Sequence, residues 1–369
     1  MRILNLAAAL LLAALAAFAS PASAQNPAQA QRLKVGFALL GSANDQGWNH
    51  SHALGIDELK QKLGDRIEVS VAENVGAADA ERVFRQFAQD GCSLVFGTTF
   101  EHMDPLLKVA GEFPAVAFEH CSGYKTAPNV GVYMGRMEQA EYLAGYMAGL
   151  MGFSRVGTVA TNPIPEVVRG VNGFTRGLLK GLAESGATFD GAGANTVAWL
   201  NSWRDPRGET TVAETLVQRG AALVRQMADT PDSSLAACAK GVPAIGYGAD
   251  PARFGGSCVL VSTLWEWGGI YVKKVQARLD GTWKAQDVYW GFAEGAVSLS
   301  PFHESVPGDV RAKVLAELER IRSGADDSFL GPLEDQAGKV MVPAGARATD
   351  KELFTMRWLL KGVKGKLPD

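Results

Sequence analysis

Short apolar runs alternate with amphipathic segments along most of the chain. Residues 33–40 (LKVGFALL) are almost continuously hydrophobic, which is typical of a strand buried on both faces of a parallel sheet. In residues 49–63, apolar side chains such as Ile56 and Leu59 recur at the spacing of one helical face. Because the alternation continues downstream, the sequence predicts parallel strands joined by right-handed crossovers, the arrangement of an open α/β fold.

The predicted strands form two series, separated by a predicted helix at residues 137–151. The first series comprises residues 33–40, 67–71, 93–98, 115–118 and 130–133, and the second comprises residues 155–160, 194–200, 221–225, 244–248 and 258–262. The repetition of one pattern predicts two α/β lobes of the same design.

The boundaries of the lobes follow from the two series. We assign residues 33–136 plus about 265–300 to one lobe, and residues 137–262 plus about 301–345 to the other. Residues 346–369 are predicted to form a C-terminal helix and tail, with the helix over residues 350–364. No linker rich in Pro, Gly or Ser separates the halves, so the chain is expected to cross between the lobes several times, as in a hinged clamshell.

The first 24 residues have the pattern of an export signal. Arg2 supplies a short positive region, residues 3–18 are apolar but too few for a typical membrane span, and residues 22–24 (Ala-Ser-Ala) form a cleavage motif. Cleavage after Ala24 is therefore expected, and an uncleaved anchor helix is the alternative. No Cys lies near the cleavage position, which argues against a lipid anchor and for a free periplasmic protein.

Charge, cysteine content and missing motifs exclude several classes of protein. The chain has 36 Lys and Arg against 39 Asp and Glu, so it lacks the positive charge on which bulk electrostatic binding of nucleic acid depends. Four Cys in 369 residues are too few for a disulfide scaffold. Phosphate-binding glycine loops, G-x-S-x-G and H-E-x-x-H are all absent from the sequence. We therefore expect no nucleic-acid partner, no cofactor and no catalytic residue.

Aromatic and polar side chains cluster in the loops that follow the predicted strands, where open α/β sheets bind ligands. The candidate ligand contacts are Asp45, Trp48, Asn49, Phe100, Glu119, Trp203, Asp229 and Trp265. A Trp from each lobe could stack on a flat ring while carboxylates accept hydrogen bonds from its N–H groups. Hinge packing is the alternative for each Trp, and helix capping is the alternative for each polar side chain, especially Asp45 and Asn49.

Four of the five histidines follow strands of the first lobe, which makes a metal site conceivable. They are His50, His52, His102 and His120, and Cys121 is adjacent to the last. None has the spacing usual for structural zinc, and His50 and His52 would point to different faces of a helix. Ligand contacts or helix caps are the favoured interpretation, and no metal is predicted.

Segments spread over nearly the whole chain after residue 24 form a recognisable series. They are NDQGWNHSHALGID, NVGVYMGRMEQAEYLAGYMAG, GFTRGLLKG, NSWRDP, AIGYGAD, SCVLVST and GKLPD. In their order and spacing they resemble the basic membrane protein family, the substrate-binding proteins of ABC importers of the purine nucleoside receptor type.

This resemblance implies the type I periplasmic binding protein fold, in which two Rossmann-like lobes with parallel sheets are joined by a hinge of three crossovers. It places Trp48 and Trp203 where family members have aromatic side chains that sandwich a base. Asp45 and Asn49 match the first motif. Glu119 stands at the position of a family Asp that reads the edge of the base.

Two positions depart from the nucleoside-binding members of the family. Those members hold the ribose with an Asp and a Lys, and the corresponding residues here are Gly248 and Trp265. Neither can bond ribose hydroxyls through a charged group. The resemblance therefore implies a free base as ligand, with Trp265 filling the volume of the ribose.

The predicted function is capture of a purine base (adenine-like) or a related flat heterocycle by a monomeric periplasmic protein, which delivers it to the membrane permease of an ABC importer. One alternative is a purine nucleoside bound by the same fold, and another is a sugar or an amino acid. Missing basic residues count against an amino acid carboxylate. An exported enzyme acting on nucleosides is the third alternative, although no catalytic motif supports it.

The cysteines are predicted to form one disulfide, between Cys238 and Cys258. Both lie near the amino ends of the second sheet, where neighbouring elements can bring Cα atoms within about 7 Å. Cys92 precedes its strand whereas Cys121 follows the next one, so these two are expected roughly 16 Å apart at opposite edges of the first sheet. Two reduced, buried thiols are the alternative for the first pair.

Overall fold

Two β-sheets flanked by helices form the framework of the computed structural model, which describes residues 32–189 and 193–368. The predicted export signal and its cleavage position lie outside the described residues. Among the described residues, no helix combines the length and the apolar character needed to cross a bilayer.

The strands and helices follow one another in the order expected for an α/β protein. The strands are β1 (Leu33–Ala38), β2 (Ile67–Ala72), β3 (Leu94–Gly97), β4 (Ala117–Cys121), β5 (Val130–Gly135), β6 (Val156–Ala160), β7 (Asn195–Trp199), β8 (Leu223–Met227), β9 (Ala244–Gly248), β10 (Val259–Trp265), β11 (Asp287–Trp290), β12 (Val297–Leu299), β13 (Leu333–Glu334), β14 (Val340–Val342) and β15 (Val363–Lys364). The helices are α1 (Trp48–Leu63), α2 (Ala77–Gln89), α3 (Met103–Glu112), α4 (Met137–Leu150), α5 (Pro165–Ser185), α6 (Pro206–Gln218), α7 (Asp232–Ala239), α8 (Trp267–Leu279), α9 (Gly308–Arg322) and α10 (Asp350–Phe354).

The two large sheets share one design, and each defines a lobe. The sheet of the first lobe has the strand order β11-β5-β4-β3-β1-β2, and that of the second lobe has the order β12-β10-β9-β8-β6-β7-β15. Neighbouring strands in both are parallel except β10 and β12, which run antiparallel. The predicted α/β fold with parallel sheets is confirmed.

In the described part of the chain, the backbone passes from one sheet to the other three times. The passages lie between β5 and β6, between β10 and β11, and between β11 and β12. Helix α8 follows β10 of the second sheet but packs against α1 of the first lobe. Three segments of the chain therefore join the lobes, and this restricts the relative motion of the lobes to that of a hinge.

Helices α4 and α5 pack with their backbones almost in contact because glycines line the interface. A Cβ atom at Gly177 would lie 1.9 Å from the carbonyl oxygen of Tyr142, and one at Gly145 would lie 2.0 Å from that of Phe174. No larger side chain fits without separating the helices. This contact fixes α4, which follows the last consecutive strand of the first sheet, onto the second lobe.

The helix predicted over residues 350–364 is wrong beyond its first turns, since α10 ends at Phe354. The segment that follows is bound by Asn172 of α5. The side-chain oxygen of Asn172 accepts a hydrogen bond from the backbone N–H of Leu360 (2.8 Å), and its side-chain NH₂ group donates to the carbonyl oxygen of Trp358 (2.8 Å). Strand β15 then pairs with β7. Hydrogen bonds to Asn172 and β7 thus replace those of a continued helix.

The cysteines are paired as their positions relative to the strands predict. A disulfide joins Cys238, at the end of α7, to Cys258, just before β10, with Cα atoms 5.3 Å apart. Cys92 and Cys121 are free and buried. Burial raises the pKa of the Cys92 thiol to about 11, so this side chain stays a neutral thiol at physiological pH.

Candidate functional site

A cavity lies between the two lobes, at the carboxyl ends of the strands. Residues that follow β1, β3 and β4 of the first lobe face residues that follow β6, β7 and β8 of the second. About 350 Å³ of this cavity is not filled by protein atoms, part of it continuous with solvent. Its walls are formed by Trp48, Thr99, Phe100, Ser122, Thr161, Glu166, Val167, Trp203, Asp229 and Tyr247. The position is the one that open α/β sheets use for ligands.

The structure brings four of the eight predicted ligand contacts together around this cavity. They are Trp48, Phe100, Trp203 and Asp229. Trp48 and Phe100 come from the first lobe, whereas Trp203 and Asp229 come from the second. The cavity therefore presents an aromatic side chain from each lobe, together with a carboxyl group.

Trp48 is held in place on several sides. Its indole N–H donates to the carbonyl oxygen of Thr98 (2.9 Å), and the residue is 6% exposed. The ring stands at right angles to His52, Trp265 and Trp267, with centroids 4.8–5.6 Å apart. Such packing orients the indole before any ligand arrives, which lowers the entropic cost of binding.

Asp45 and Asn49 do not line the cavity but hold the start of α1. The Asp45 carboxylate accepts hydrogen bonds from the backbone N–H groups of Gly47 (3.0 Å), Asn49 (3.1 Å) and His50 (2.9 Å). It also accepts one from the Asn49 side chain at 2.7 Å, and Asn49 in turn accepts one from the backbone of Gly41. The capping interpretation therefore describes both residues, and they act on the site by fixing Trp48.

Glu119 was predicted to read the edge of a ligand, and the structure places it elsewhere. Strand β4 extends to Cys121, so Glu119 lies within the sheet, fully buried and away from the cavity. Its carboxylate accepts hydrogen bonds from the Lys274 ammonium and from the Trp283 indole N–H, both at 2.9 Å. A strand end was expected here because charged residues rarely lie inside a buried strand, but Lys274 on α8 compensates this one.

Trp265 also lies behind the cavity rather than in its wall. It stacks on Trp267 with ring centroids 4.7 Å apart, and Trp267 stacks on His52 at 4.6 Å. A Cβ atom at Gly248, whose φ of 77° favours glycine, would lie 3.6 Å from the Trp265 ring. The two residues that depart from the nucleoside-binding pattern are therefore neighbours.

The two lobes are in direct contact beside the cavity. The backbone N–H of Trp48 donates to the backbone carbonyl of Asp229 at 3.3 Å. A Cβ atom at Gly47 would lie 1.7 Å from that same carbonyl oxygen, so only glycine permits this approach. Ser122 of the first lobe also donates a hydrogen bond to Glu166 of the second. The structure therefore represents a closed arrangement of the lobes.

Sequence reasoning missed six of the residues that line the cavity. They are Thr99, Ser122, Thr161, Glu166, Val167 and Tyr247. Ser122 and Thr161 directly follow β4 and β6, and Thr99 lies two residues after β3, so a strict reading of every strand end would have found them. Glu166 lies inside α5, so the strand-end rule does not single it out, and its place beside the cavity shows only in its contact with Ser122 of the other lobe.

Carboxyl groups dominate the electrostatics of the cavity. Burial raises the pKa of Asp229 well above its usual range, and the nearby carboxyls of Asp45, Glu166 and Glu209 add to this effect. Burial also raises the pKa of Glu166, although Arg169 opposes it. No Lys or Arg lines the cavity in the described part of the chain. The arrangement suits a flat molecule with N–H groups and disfavours a ligand bound through an anionic group.

The histidines of the first lobe are engaged in separate contacts. His50, His102 and His120 each bond a backbone carbonyl, and His52 bonds the Tyr271 hydroxyl at 2.6 Å. Burial lowers the pKa of His52 to about 3 and that of His102 to about 4, so both are neutral at physiological pH. Within residues 32–189 and 193–368, no three His, Cys, Asp or Glu side chains are grouped so that they could hold a metal ion.

Comparison with known sequences gives a family and several relatives. The sequence model of a family described as ABC transporter substrate-binding protein, PnrA-like, matches residues 32–322. A purine-binding protein of Brucella abortus is 38% identical over 92% of this chain and 95% of its own length. A Haloferax volcanii protein, provisionally named an ABC transporter glucose-binding protein, is 33% identical over 93% of this chain and 83% of its own.

Comparison with solved structures gives the same architecture. An ABC transporter solute-binding protein of Conexibacter woesei superimposes with a TM-score of 0.64 at 26% identity, covering 80% of this chain and 98% of its own. One from Aeropyrum pernix has a TM-score of 0.68 at 19% identity, covering 87% of this chain and 97% of its own. At 19% identity, the second likeness shows the fold alone. Lac repressor and other regulators of the LacI family share this fold at TM-scores of 0.50–0.55.

Proposed function

The chain belongs to the family of PnrA-like ABC transporter substrate-binding proteins, and we propose that it captures a purine base between its lobes and presents the base to an ABC permease. Closure of the lobes brings Trp203 and Trp48 to the same cavity, where a flat ring can stack. No step of covalent chemistry is required, because transport proteins of this kind release the ligand unchanged.

The observation that carries the proposal is the combination of aromatic walls and carboxyl groups in one cavity. Trp48, Phe100 and Trp203 supply faces for stacking, which contributes roughly 1–3 kcal/mol per base. Asp229 and Glu166 supply acceptors for ring or exocyclic N–H groups. Micromolar affinity requires about −8 kcal/mol, which such contacts can supply after the costs of ordering.

The choice of a base over a nucleoside rests on Gly248 and Trp265. In nucleoside-binding relatives, charged side chains at the corresponding positions hold the ribose. Here a Cβ atom at Gly248 would lie 3.6 Å from the Trp265 ring, and neither residue offers a carboxylate or an ammonium to a ribose. The name of the Brucella relative supports a purine ligand without distinguishing the two forms.

The decisive experiment is a calorimetric titration of the ligand-free protein with adenine, hypoxanthine, adenosine and inosine, with glucose as a further competitor. We expect a base to bind in the micromolar range or tighter, and nucleosides to bind at least tenfold more weakly. Nucleosides that bind as tightly as bases would contradict the assignment of Gly248 and Trp265. A preference for glucose would replace the purine with a sugar, and conversion of a nucleoside to products would indicate an enzyme.

We further propose that the protein works as a monomer in the periplasm after cleavage following Ala24. The expected mature protein begins at Gln25. Intact-mass measurement of protein purified from a periplasmic extract, together with light scattering, tests both points. A mass that includes residues 1–24 would indicate an uncleaved anchor instead.

A further inference from the structure

Asp229 lies where the second lobe meets the first. It follows β8, lines the cavity and is 9% exposed, and its backbone carbonyl contacts the backbone N–H of Trp48 in the opposite lobe. Among the described residues, none donates a hydrogen bond to the Asp229 carboxyl group. Because a buried carboxylate without a partner is costly, a carboxyl group in this position favours its neutral, protonated form.

The ionisable groups that surround Asp229 oppose a negative charge on it. Asp45 approaches from the segment before α1, Glu166 from α5 and Glu209 from α6, and all three carry carboxyl groups. Asp232, at the start of α7, adds a further carboxyl beside Glu209. A negative charge on Asp229 would therefore be repelled from several neighbouring elements.

The cations on the elements that carry the cavity are paired with other carboxylates. Arg225 of β8 donates to Glu141 at 2.7 Å, and Arg169 of α5 lies 3.5 Å from Glu138. No Lys or Arg lines the cavity itself in the part of the chain that the structure describes. The protein thus supplies no countercharge to Asp229 in this arrangement.

The other titratable groups near the cavity do not supply one either. Burial raises the pKa of Tyr247 on β9 well above its usual range, so its phenol is neutral at physiological pH. The His50 ring of α1 bonds a backbone carbonyl of its own lobe, and Arg204, which follows Trp203, is exposed.

Part of this environment exists only while the lobes are together, since Asp45 and Trp48 belong to the first lobe and Asp229 to the second. When the lobes separate, solvent reaches Asp229, and its pKa takes the ordinary value of 3.8. In the closed arrangement burial raises that pKa well above 3.8. The protonated form therefore stabilises closure fully below pH 3.8, and this contribution is lost as the pH rises through the pKa of the closed form.

We propose that closure of the lobes on a neutral ligand takes up one proton from solvent, that the Asp229 carboxyl group holds it, and that reopening returns it to solvent. This step depends on the proposed binding of a purine base. A protonated carboxyl group both donates and accepts hydrogen bonds, whereas a carboxylate only accepts them. Adenine presents a ring nitrogen beside an amino group, so one edge of the base can satisfy both oxygens of the neutral acid.

The experiment is calorimetry of adenine binding at about pH 7 in buffers of different ionisation enthalpy, which counts the protons taken up. We expect about one proton per adenine for the wild type, and a dissociation constant that rises up to about tenfold per pH unit between about pH 6 and 8. Asp229→Asn keeps a donor and an acceptor but cannot titrate, so its binding of adenine should take up no proton. Asp229→Ser is a second variant without a titratable group, for use if the amide prevents folding.

Two further carboxyl variants serve as controls for the carrier of the proton. Burial raises the pKa of Glu209 to about 8, but Glu209 does not line the cavity and bonds Thr230 of its own lobe. It should titrate alike in the open and closed arrangements, so Glu209→Gln should keep the proton uptake of the wild type. Glu166 is bonded by Ser122 and attracted by Arg169, so Glu166→Gln should also keep it.

Each outcome decides between the two proposals. A wild type that binds adenine without proton uptake overturns the coupling and leaves the proposed function intact. Uptake that persists in Asp229→Asn, or that disappears in Glu166→Gln, assigns the proton to another group and overturns the role of Asp229. A wild type that binds no purine overturns the proposed function, and the coupling falls with it.

Discussion

At the scale of single residues, the two tryptophans of the cavity have different roles. Trp48 is packed against three other rings and bonded to Thr98, so its indole is part of the first lobe's core as well as of the cavity. Trp203 is only partly buried and approaches from the second lobe. Removing Trp203 therefore tests stacking with little effect on the fold, whereas removing Trp48 would disturb both.

We predict that Trp203→Ala weakens purine binding by about 1–3 kcal/mol, since it deletes one stacked face. Trp48→Phe should cause a smaller loss because a ring remains. Trp290→Ala, on β11 and away from the cavity, is the control. Calorimetry of the three variants checks this, and a wild-type affinity in Trp203→Ala would exclude the sandwich.

Glu209 provides a residue-scale test of pH dependence. It is fully buried at the start of α6, accepts a hydrogen bond from the Thr230 hydroxyl (2.7 Å), and its other oxygen has no partner within the described residues. Burial raises its pKa from 4.5 to about 8. Because the native pKa is raised, the stabilisation from the protonated form is complete below pH 4.5 and is lost as the pH rises to about 8.

We predict that Glu209→Gln flattens the pH dependence of the free energy of unfolding between pH 4.5 and 8. The wild type should lose up to about 1.4 kcal/mol per pH unit relative to this variant in that window. Denaturant unfolding at several pH values measures the difference. If the free energies of unfolding of the two proteins change with pH in parallel, Glu209 does not have a raised pKa.

At the scale of elements, the contact between α4 and α5 leaves no room for an added methyl group at its glycines. Its glycines bring backbone against backbone, and α4 also packs against α9 and β10. Helix α3 offers the opposite situation, because a Cβ atom at Gly111 would meet no atom within 4 Å. Replacing glycine by alanine should therefore destabilise the protein in the interface between α4 and α5 and stabilise it in α3.

We predict that Gly177→Ala lowers the free energy of unfolding by about 1–3 kcal/mol or more, because the added methyl group overpacks the interface between α4 and α5. Gly111→Ala should instead stabilise it by roughly 0.5–1 kcal/mol, because alanine loses less conformational entropy in a helix. Thermal and denaturant unfolding measure both. Equal effects of the two changes would mean that α4 and α5 are not in close contact.

At the scale of the whole molecule, the closed arrangement of the lobes includes a close backbone contact beside the cavity. The carbonyl of Asp229 approaches Gly47 and Trp48 from the opposite lobe, in a space that a methyl group at residue 47 would fill. A substitution that removes this contact should therefore prevent closure without unfolding the protein, because the contact forms between the lobes rather than within one of them.

We predict that Gly47→Ala keeps the protein folded but weakens ligand binding at least tenfold, because the lobes can no longer meet. Small-angle X-ray scattering should then show no compaction on addition of adenine, unlike the wild type. Gly76→Ala is the control, since a Cβ atom at Gly76 meets no atom within 4 Å. Full compaction of Gly47→Ala with ligand would show that the contact is dispensable.

The hydrophobic pattern of the chain is sufficient to predict the α/β fold, the two series of strands and the edge of each sheet at which the cavity lies. It also led to Trp48, Phe100, Trp203 and Asp229, because hydrophobic period locates strands and the residues after parallel strands share one edge. These properties are local, so each can be inferred from a few neighbouring residues.

The polar residues could be assigned to the cavity only from the folded chain. Glu119 became a buried partner of Lys274, Asp45 became a cap, and the contact between Ser122 and Glu166 arose where the lobes meet. Residues 155 positions apart pair as readily as neighbours once the chain is folded, and no local pattern encodes that distance. A charged side chain has one of several roles depending on its partner, and the partner is chosen by packing.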